Sequence, residues 1–335
     1  MGEKFNEFGC HSNTHIAFFA IDSLRQLSER FFDIEELSHF KFQKEFLKPF
    51  SYILVNNNNM GVKEMVLDCV QYMVQKKSTN IKSGWVSILD ILTNAAKENN
   101  EKLVSKSYSY ASLINKKEFS SIYKQDAYEP LVLCLTEFAK NERFQKTSLQ
   151  ALHDMKNIVN YIADINANNE TEKTLIQYWF PILFGFHDVI MTGDDLEVRS
   201  KALNIMFDSL VENGEHFEIE LWDKICNELL FPIFGILSKH WGLSSSQDEI
   251  SVWLSTTLIQ ALRNMIALFG YFFEKLNHLL EGYLNLLVSC ICQENETISK
   301  IGISCLKELI VQNEMKLHQL MVVQTMIIVL KIVMV

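Results

Sequence analysis

The chain has 335 residues and a mass of 38.9 kDa, so two ordinary domains or one extended repeat array are expected. Its 48% apolar and 21% charged residues exclude disorder, and 12 glycines with 4 prolines are too few for a many-stranded sandwich or barrel. The net charge of −10 argues against nucleic acid as the main partner, because phosphate binding needs a positive surface.

The acidity lies entirely in the second half of the chain. Residues 1–160 carry 20 Lys and Arg against 19 Asp and Glu, whereas residues 161–335 carry 11 against 22. An anionic surface repels the second half, so a region that faces a membrane or binds acidic groups is expected in the first half.

The cysteines and the two ends of the chain predict a cytoplasmic protein. Seven cysteines are an odd number, and most lie in apolar helical segments, as reduced and buried thiols do. The N-terminus has no apolar signal-peptide stretch. The run from Met321 to Val335 is too short to cross a bilayer and contains Lys331, which favours a packed helix.

Helical periodicity begins near residue 13 and continues along the chain. Asn13 or Thr14 is a candidate cap for the first long helix. Its predicted buried face consists of Ile16, Phe19, Ala20, Leu24, Leu27 and Phe31.

A similar amphipathic segment starts again six times. Its starting points after Ile16 lie near Val62, Val104, Phe144, Val198, Val252 and Ile298. This spacing is close to the roughly 40–47 residues of a HEAT or armadillo helix pair. The sequence therefore predicts an all-α fold, a right-handed α-solenoid of about seven HEAT-like helix pairs.

Prolines and polar clusters punctuate the predicted helices. Trp179-Phe180-Pro181-Ile182-Leu183 recurs as Leu230-Phe231-Pro232-Ile233-Phe234, and each proline predicts a kink. Polar clusters predict turns at residues 56–61, 75–83, 99–102, 166–172, 193–195, 213–215 and 242–249.

Motifs for catalysis and metal binding are largely absent. Cys10, His11 and His15 are the nearest metal candidate, but no fourth ligand is visible and a capped helix start is the better interpretation. Cys290 and Cys292 have no histidine at ligand spacing and fit a core. The acidic pairs Glu35-Glu36 and Asp194-Asp195 fit helix caps or solvated faces. No cofactor is predicted.

One basic amphipathic segment has two interpretations. Lys41, Lys44 and Lys48 share one predicted helix face, and the opposite face carries Phe42, Phe46 and Phe50. Such a segment can lie on an anionic bilayer, with the three lysines as a membrane-surface ridge. The preferred interpretation is a packed helix with core phenylalanines and solvated lysines, because Glu45 and Pro49 weaken the membrane pattern.

Several segments resemble a known family. They are CHSNTHIAFFAIDSLRQL at residues 10–27, FKFQKEFLKPF at 40–50, NIKSGW at 80–85, RFQKTSLQAL at 143–152, WFPIL at 179–183, EVRSKAL at 197–203 and NETISKIGISCLKELI at 295–310. In this order they resemble the region that follows the catalytic domain in large Golgi Arf guanine-nucleotide exchange factors of the BIG and Sec7 class. The resemblance spans nearly the whole chain.

The resemblance implies a regulatory role. Nothing in the chain matches the family's catalytic domain or its glutamate loop, so the chain resembles a region without exchange activity. It implies a first downstream homology region at 1–170, a second at 171–240 and a third at 241–335, in one continuous solenoid. Family members are recruited to trans-Golgi membranes by activated small GTPases, and their downstream regions take part in autoinhibition.

The resulting hypothesis is a cytoplasmic region, peripheral on trans-Golgi membranes, that binds GTP-loaded Arf. The candidate partner-binding residues are His11, Ser12, Asn13, Asp22 and Arg25. A Rab-type GTPase is a further candidate partner. Asp22 and Arg25 have a second interpretation, an ordinary ion pair one helical turn apart. Two alternatives remain: a scaffold for dimerisation or intramolecular contact, and an enzyme that itself releases nucleotide from Arf.

Overall fold

The computed structural model describes residues 2–37, 40–166, 172–235, 257–293, 295–314 and 316–317. Within these ranges the chain is helical and contains no β-strand, which confirms the all-α prediction. The α-helices are α1 (Gly2–Gly9), α2 (Thr14–Phe31), α3 (Phe42–Asn56), α4 (Met60–Lys77), α5 (Gly84–Ala96), α6 (Glu101–Lys124), α7 (Tyr128–Ala139), α8 (Gln145–Asn166), α9 (Glu172–Thr192), α10 (Leu196–Asn213), α11 (Ile219–Ile225), α12 (Ile259–Tyr271), α13 (Phe273–Leu276), α14 (Leu280–Ile291) and α15 (Glu296–Gln312).

The chain divides into two compact units. The first contains residues 1–158 and 193–198, and the second contains residues 159–192 and 199–335. In the first unit, α1, α3, α5 and α7 pack one after another as one layer, while α2, α4 and α6 pack one after another as a second. Helices adjacent in sequence also contact each other across the layers, for example α1 with α2 and α5 with α6. The first unit is therefore a two-layered stack of helix pairs.

The predicted repeat starts coincide with alternate helices. Ile16, Val62 and Val104 lie in α2, α4 and α6, and Phe144 comes immediately before α8. Val198 lies in α10 and Ile298 in α15, whereas Val252 lies outside the described residues. The repeated segment thus marks the second helix of each pair in the first unit.

Asparagine begins these second-layer helices. Asn13, Asn59 and Asn100 each place Oδ1 on a backbone N–H of the first turn, at 3.0–3.2 Å. Asn295 caps α15 in the same way. A side-chain oxygen at this position satisfies a backbone donor that has no partner within the helix. The prediction of Asn13 as a cap is confirmed.

The buried face of α2 differs from the predicted one. Its buried residues are Ala17, Ala20, Ile21, Leu24 and Ser28. Ile16 and Phe19 are exposed, so their placement in the core was wrong. Ala20 and Leu24 were predicted correctly, and the buried face as a whole is rotated by about 70° around the helix axis from the predicted one. The prediction favoured the larger side chains of Ile16 and Phe19, whereas the small Ala17 lies on the true face and allows close packing there.

A buried carboxylate joins the starts of α3 and α5. Glu36 accepts hydrogen bonds from the backbone N–H of Gln43 at 2.9 Å, from Ser83 N–H at 3.0 Å and from Ser83 Oγ at 2.6 Å. These donors lie at the positive ends of two helix dipoles, which offsets the cost of burying the charge. Gln43 Oε1 adds hydrogen bonds from Lys82 N–H at 2.8 Å and Gly84 N–H at 3.3 Å. We call these residues, Glu36, Gln43 and Ser83, the Glu36 clasp.

An aromatic cluster organises the second unit. Ring centroids of Trp179 and Phe217 lie 4.9 Å apart, those of Phe217 and Trp222 5.6 Å, and those of Trp222 and Phe272 5.1 Å. The indole N–H of Trp222 donates to the Gly214 carbonyl at 3.2 Å. A Cβ on Gly214 would lie 2.5 Å from the Trp222 ring, so this contact requires glycine. The cluster holds α9 and α11 together.

The two prolines that predict kinks lie in different helical surroundings. The α-helix α9 runs without interruption through Pro181. Pro232 lies in a 3₁₀ turn at Phe231–Phe234, directly after a π-helical turn at Cys226–Leu230. The helical path is therefore irregular at the second proline, as expected where a backbone donor is missing.

Several predicted features fall outside the description. The turn at 242–249, most of the turn at 166–172 and the run from Met321 to Val335 lie outside the described residues. Among the residues that are described, no helix combines the length and hydrophobicity that a membrane span requires. Cys69, Cys134, Cys226, Cys290 and Cys305 are buried, in agreement with their apolar sequence context.

The Glu36 clasp gives a first prediction. Glu36→Ala leaves three buried donors without their acceptor, so we expect the free energy of unfolding to fall by about 2–4 kcal/mol. Glu35→Ala is the matched control, since the Glu35 side chain is 89% exposed, and should change it by less than about 0.5 kcal/mol. Urea denaturation followed by circular dichroism measures both. Equal effects of the two substitutions would contradict the role given to Glu36.

Candidate functional site

The first three candidate partner-binding residues lie in the connection between α1 and α2. His11, Ser12 and Asn13 are all exposed. Asn13 N–H donates to His11 Nδ1 at 2.9 Å, and Asn13 Oδ1 accepts from His15 N–H at 3.0 Å. These bonds fix the connection, so its outward polar groups are held in one arrangement.

Asp22 and Arg25 form a second group further along α2. Asp22 Oδ1 accepts from Arg25 Nη2 at 2.8 Å and Nε at 3.0 Å, and its Oδ2 accepts from Gln26 at 2.7 Å. The hydrogen bond from Arg25, then that from Gln26, lowers the pKa of Asp22 below its ordinary value. The same bond to Asp22 raises the pKa of Arg25. The alternative interpretation of an ordinary ion pair is therefore confirmed.

Arg25 also connects α2 to α4. Its guanidinium carbon lies 5.0 Å from the centre of the Tyr72 ring, and Nη1 is 3.6 Å from Glu29. Tyr72 Oη donates to Glu29 Oε1 at 3.1 Å. A cation stacked on an aromatic ring and paired with two carboxylates is held in place. Arg25 therefore has a structural role whether or not a partner binds it.

Phe19 is the surface residue that the sequence reasoning placed in the core. Its side chain is 78% exposed, and it lies on α2 between His15 and Asp22 at helical spacings of four and three residues. Phe19 therefore lies along α2 between the connection that contains Asn13 and the position of Asp22, which are separated by about 14 Å along the helix axis. We call His11, Ser12, Asn13, Phe19 and Asp22 the α2 surface. The adjacent pair Phe18-Phe19 was a usable signal, because neighbouring positions point about 100° apart and cannot both face one core.

The three candidate membrane-surface lysines differ in their surroundings. Lys41 is exposed at the start of α3, and Lys44 is half-buried. Lys48 Nζ donates to both oxygens of Glu45, at 2.6 and 2.7 Å. Their role at a membrane stays a prediction.

The phenylalanines of the same segment pack against other apolar side chains, and Phe42 and Phe46 remain half-buried. Phe50 is fully buried, and the Phe31 ring lies 5.9 Å from Phe42 and 4.4 Å from Phe46, measured between centroids. The segment is a packed helix, which agrees with the preferred interpretation of its sequence.

The remaining chemistry-bearing groups serve the fold. Asp195 Oδ1 accepts from Val198 N–H at 2.9 Å and caps α10, as predicted for this acidic pair. His11 Nδ1 is occupied by its hydrogen bond from Asn13. Within the described ranges, no three His, Cys, Asp or Glu side chains converge as a metal site would require. Burial raises the pKa of the Cys69 and Cys134 thiols to about 12, so neither is a reactive thiolate near neutral pH.

Comparison with known proteins gives one consistent similarity. Residues 30–113 match a family model described as Mon2/Sec7/BIG1-like, HDS. The chain is 51% identical over 95% of its length to the ADP-ribosylation factor guanine nucleotide-exchange factor SEC7 of Saccharomyces cerevisiae, and covers 17% of that protein. It is 40% identical to sec71 of Schizosaccharomyces pombe, and 32% to brefeldin A-inhibited guanine nucleotide-exchange protein 1 of Homo sapiens. These alignments cover 94% and 93% of the chain and 18% and 17% of the relatives.

The similarity is to one region of much longer proteins. The chain spans less than a fifth of each of these relatives. It therefore resembles, over nearly all of its own length, a region of large ADP-ribosylation factor exchange factors. The family match contains α3, α4 and α5 with the Glu36 clasp, and it begins after the α2 surface.

The pair of Asp22 and Arg25 gives a second prediction. Arg25→Gln should raise the pKa of the Asp22 carboxyl toward its ordinary value, incompletely because Gln26 still donates. Because Asp22 has a lowered pKa when folded, its ion pair stabilises the folded state above about pH 4, and this stabilisation is lost as the pH falls through the folded pKa. For so exposed a pair the contribution to the free energy of unfolding is about 0.5 kcal/mol. Carboxyl NMR titration measures the pKa. Arg30 is an exposed arginine on the same helix, so Arg30→Gln is the control and should leave the pKa of Asp22 unchanged. If Arg25→Gln also left this pKa unchanged, the role given to the Asp22–Arg25 pair would be contradicted.

Proposed function

We propose that this chain is a non-catalytic regulatory region of an ADP-ribosylation factor guanine nucleotide-exchange factor. In this proposal it binds the GTP-loaded factor, helps recruit the exchange factor to trans-Golgi membranes from the cytoplasm, and takes part in autoinhibition. The similarity to such exchange factors over 95% of the chain is the observation that carries the proposal. A Rab-type GTPase is kept as a second partner of the same class.

The α2 surface is the proposed contact with the GTPase. It combines a protruding aromatic ring, Phe19, with fixed polar groups at His11, Asn13 and Asp22. An aromatic side chain surrounded by polar groups is typical of the energetically important centre of a protein interface. Arg25 supports this surface through Asp22 and Tyr72, and is assigned a positioning role.

The nucleotide state of the GTPase must matter for regulation. A ligand shifts a conformational equilibrium only by the difference in its affinity for the two states. We therefore propose that the α2 surface binds the GTP form more tightly than the GDP form, and that this difference moves the exchange factor toward a membrane-bound, uninhibited population.

The proposed architecture for the first unit is a right-handed solenoid of HEAT-like helix pairs. The layers α1, α3, α5, α7 and α2, α4, α6 support it, since stacked helix pairs bury faces that one pair cannot bury alone. The boundaries at residues 170 and 240 between the three downstream homology regions remain predictions from the resemblance.

A scaffold for self-association is the alternative function. Phe8 on α1 and Tyr52 and Val55 on α3 are exposed on two helices that pack against each other. Exposed apolar side chains on neighbouring helices fit a second protein surface. Light scattering across a range of concentrations without GTPase distinguishes this alternative, because self-association then increases with concentration.

The GTPase contact is tested by liposome flotation. We expect GTP-loaded ADP-ribosylation factor to float the chain at least about tenfold better than the GDP-loaded form, and Phe19→Ser to remove most of this difference. Leu133→Ser is the matched control, because Leu133 is an exposed apolar residue on α7. Equal flotation with the two nucleotide states would end the proposal.

The absence of exchange activity is tested by fluorescent-nucleotide release. We expect the isolated chain to leave GDP release from ADP-ribosylation factor at its spontaneous rate, at any concentration that binds the GTP form. The catalytic region of an exchange factor serves as the positive control. Acceleration that depends on the concentration of the chain would support the enzyme alternative.

A further inference from the structure

We infer that the connection between α2 and α3 inserts apolar side chains into anionic membranes. Ile34, Leu37 and Phe40 lie in this connection, and their side chains are 54%, 70% and 67% exposed. We call these three residues the apolar tip. Most large apolar residues of the described chain are buried, so three such exposures within seven positions indicate a contact surface.

Hydrogen bonds hold the described backbone of the apolar tip. Phe40 N–H donates to the Leu37 carbonyl at 3.0 Å, and Ile34 N–H donates to the Phe31 carbonyl at 3.1 Å. Glu36, between Ile34 and Leu37, is fixed by the clasp beneath. These contacts hold the described residues of the tip, which lowers the conformational entropy lost when they bind.

The tip also borders an apolar groove. The groove has a volume of about 540 Å³ and lies among α1, α2, α3 and the connection. Its walls include Phe5, Phe31, Phe46 and Pro49 together with the tip residues. The apolar surface thus continues inward from the tip, as suits contact with hydrocarbon chains.

The charges around the tip favour an anionic bilayer as the partner. Lys77 pairs with Asp33, and Lys82 Nζ lies 3.8 Å from Glu35 and 3.3 Å from the Glu36 carbonyl. Residues 29–48 with Lys77 and Lys82 contain six Lys and Arg against five Asp and Glu, of which Glu36 is buried, in a chain whose net charge is −10. A locally positive surface with protruding apolar side chains is attracted to anionic headgroups and gains from burying those side chains at the interface.

This inference changes how the basic segment is expected to meet a membrane. On α3, Phe50 is fully buried, whereas the half-buried Phe46 lines the apolar groove. The exposed apolar residues beside this face are the tip side chains that precede α3, with Lys41 directly beside them and Lys44 and Lys48 further along the helix. It deepens the membrane recruitment in the proposed function, but requires no GTPase.

Co-sedimentation of the whole chain with vesicles tests the inference without any GTPase present. We expect binding to vesicles of phosphatidylcholine with phosphatidylserine, severalfold weaker binding to phosphatidylcholine alone, and weaker binding at about 0.5 M than at about 0.1 M salt. Leu37→Ser with Phe40→Ser should lower the partition coefficient by at least about tenfold. Ile219→Ser with Leu133→Ser removes two apolar residues that are 52% and 53% exposed elsewhere, and should leave it unchanged.

A second measurement keeps the inference testable if the tip variant folds poorly. Brominated lipids should quench the fluorescence of Phe40→Trp more than that of the native tryptophans. They should quench the fluorescence of Leu133→Trp no more than that of the native tryptophans. Absence of vesicle binding, equal binding of the two double variants, or an unquenched Trp at position 40 would each overturn the inference. A tip variant that still bound vesicles but no longer bound GTP-loaded ADP-ribosylation factor would show that the tip contacts protein, and would overturn the inference. A tip variant that lost vesicle binding but still bound the GTPase would support the inference and leave the proposed GTPase contact unaffected.

Discussion

The first unit depends on a buried carboxylate that is held by hydrogen bonds from two helix starts. Glu36 accepts three hydrogen bonds from the starts of α3 and α5, and Gln43 and Ser83 extend the same network. The positive ends of two helices thus converge on one negative charge, which fixes the spacing of neighbouring layer helices. The two sequence segments that meet here, residues 40–50 and 80–85, are among those that carry the family resemblance.

The same clasp connects fold to function. It holds the backbone on which Ile34, Leu37 and Phe40 are displayed, while Asn13 and the Arg25–Tyr72 contact fix the α2 surface at the other end of α2. One helix therefore lies between a proposed protein contact and a proposed lipid contact. A GTPase anchored on a membrane and the bilayer beneath it could be engaged together, and linked contacts strengthen each other through effective concentration.

Some of this arrangement was predictable and some was not. The repeat spacing located alternate helices, because amphipathic periodicity is a local property of the sequence; Asn13 was identified as a cap for the same reason. The buried face of α2 was only partly correct: Ala20 and Leu24 are buried as predicted, but Ile16 and Phe19 are exposed, because the small Ala17 packs closely in a way that hydrophobicity does not reveal. Glu36 was expected to cap a helix or face solvent, but its second helix lies 47 residues away at Ser83, and only tertiary packing brings the two together.

The choice of asparagine at the starts of α2, α4, α6 and α15 has a further consequence. An amide oxygen accepts a hydrogen bond at any pH, whereas an aspartate in the same position loses its charge and part of its acceptor strength when acidified. These helix starts therefore do not titrate. Acidification therefore weakens the surface ion pairs, such as that of Asp22, while the asparagines keep their hydrogen bonds to the first turns of these helices.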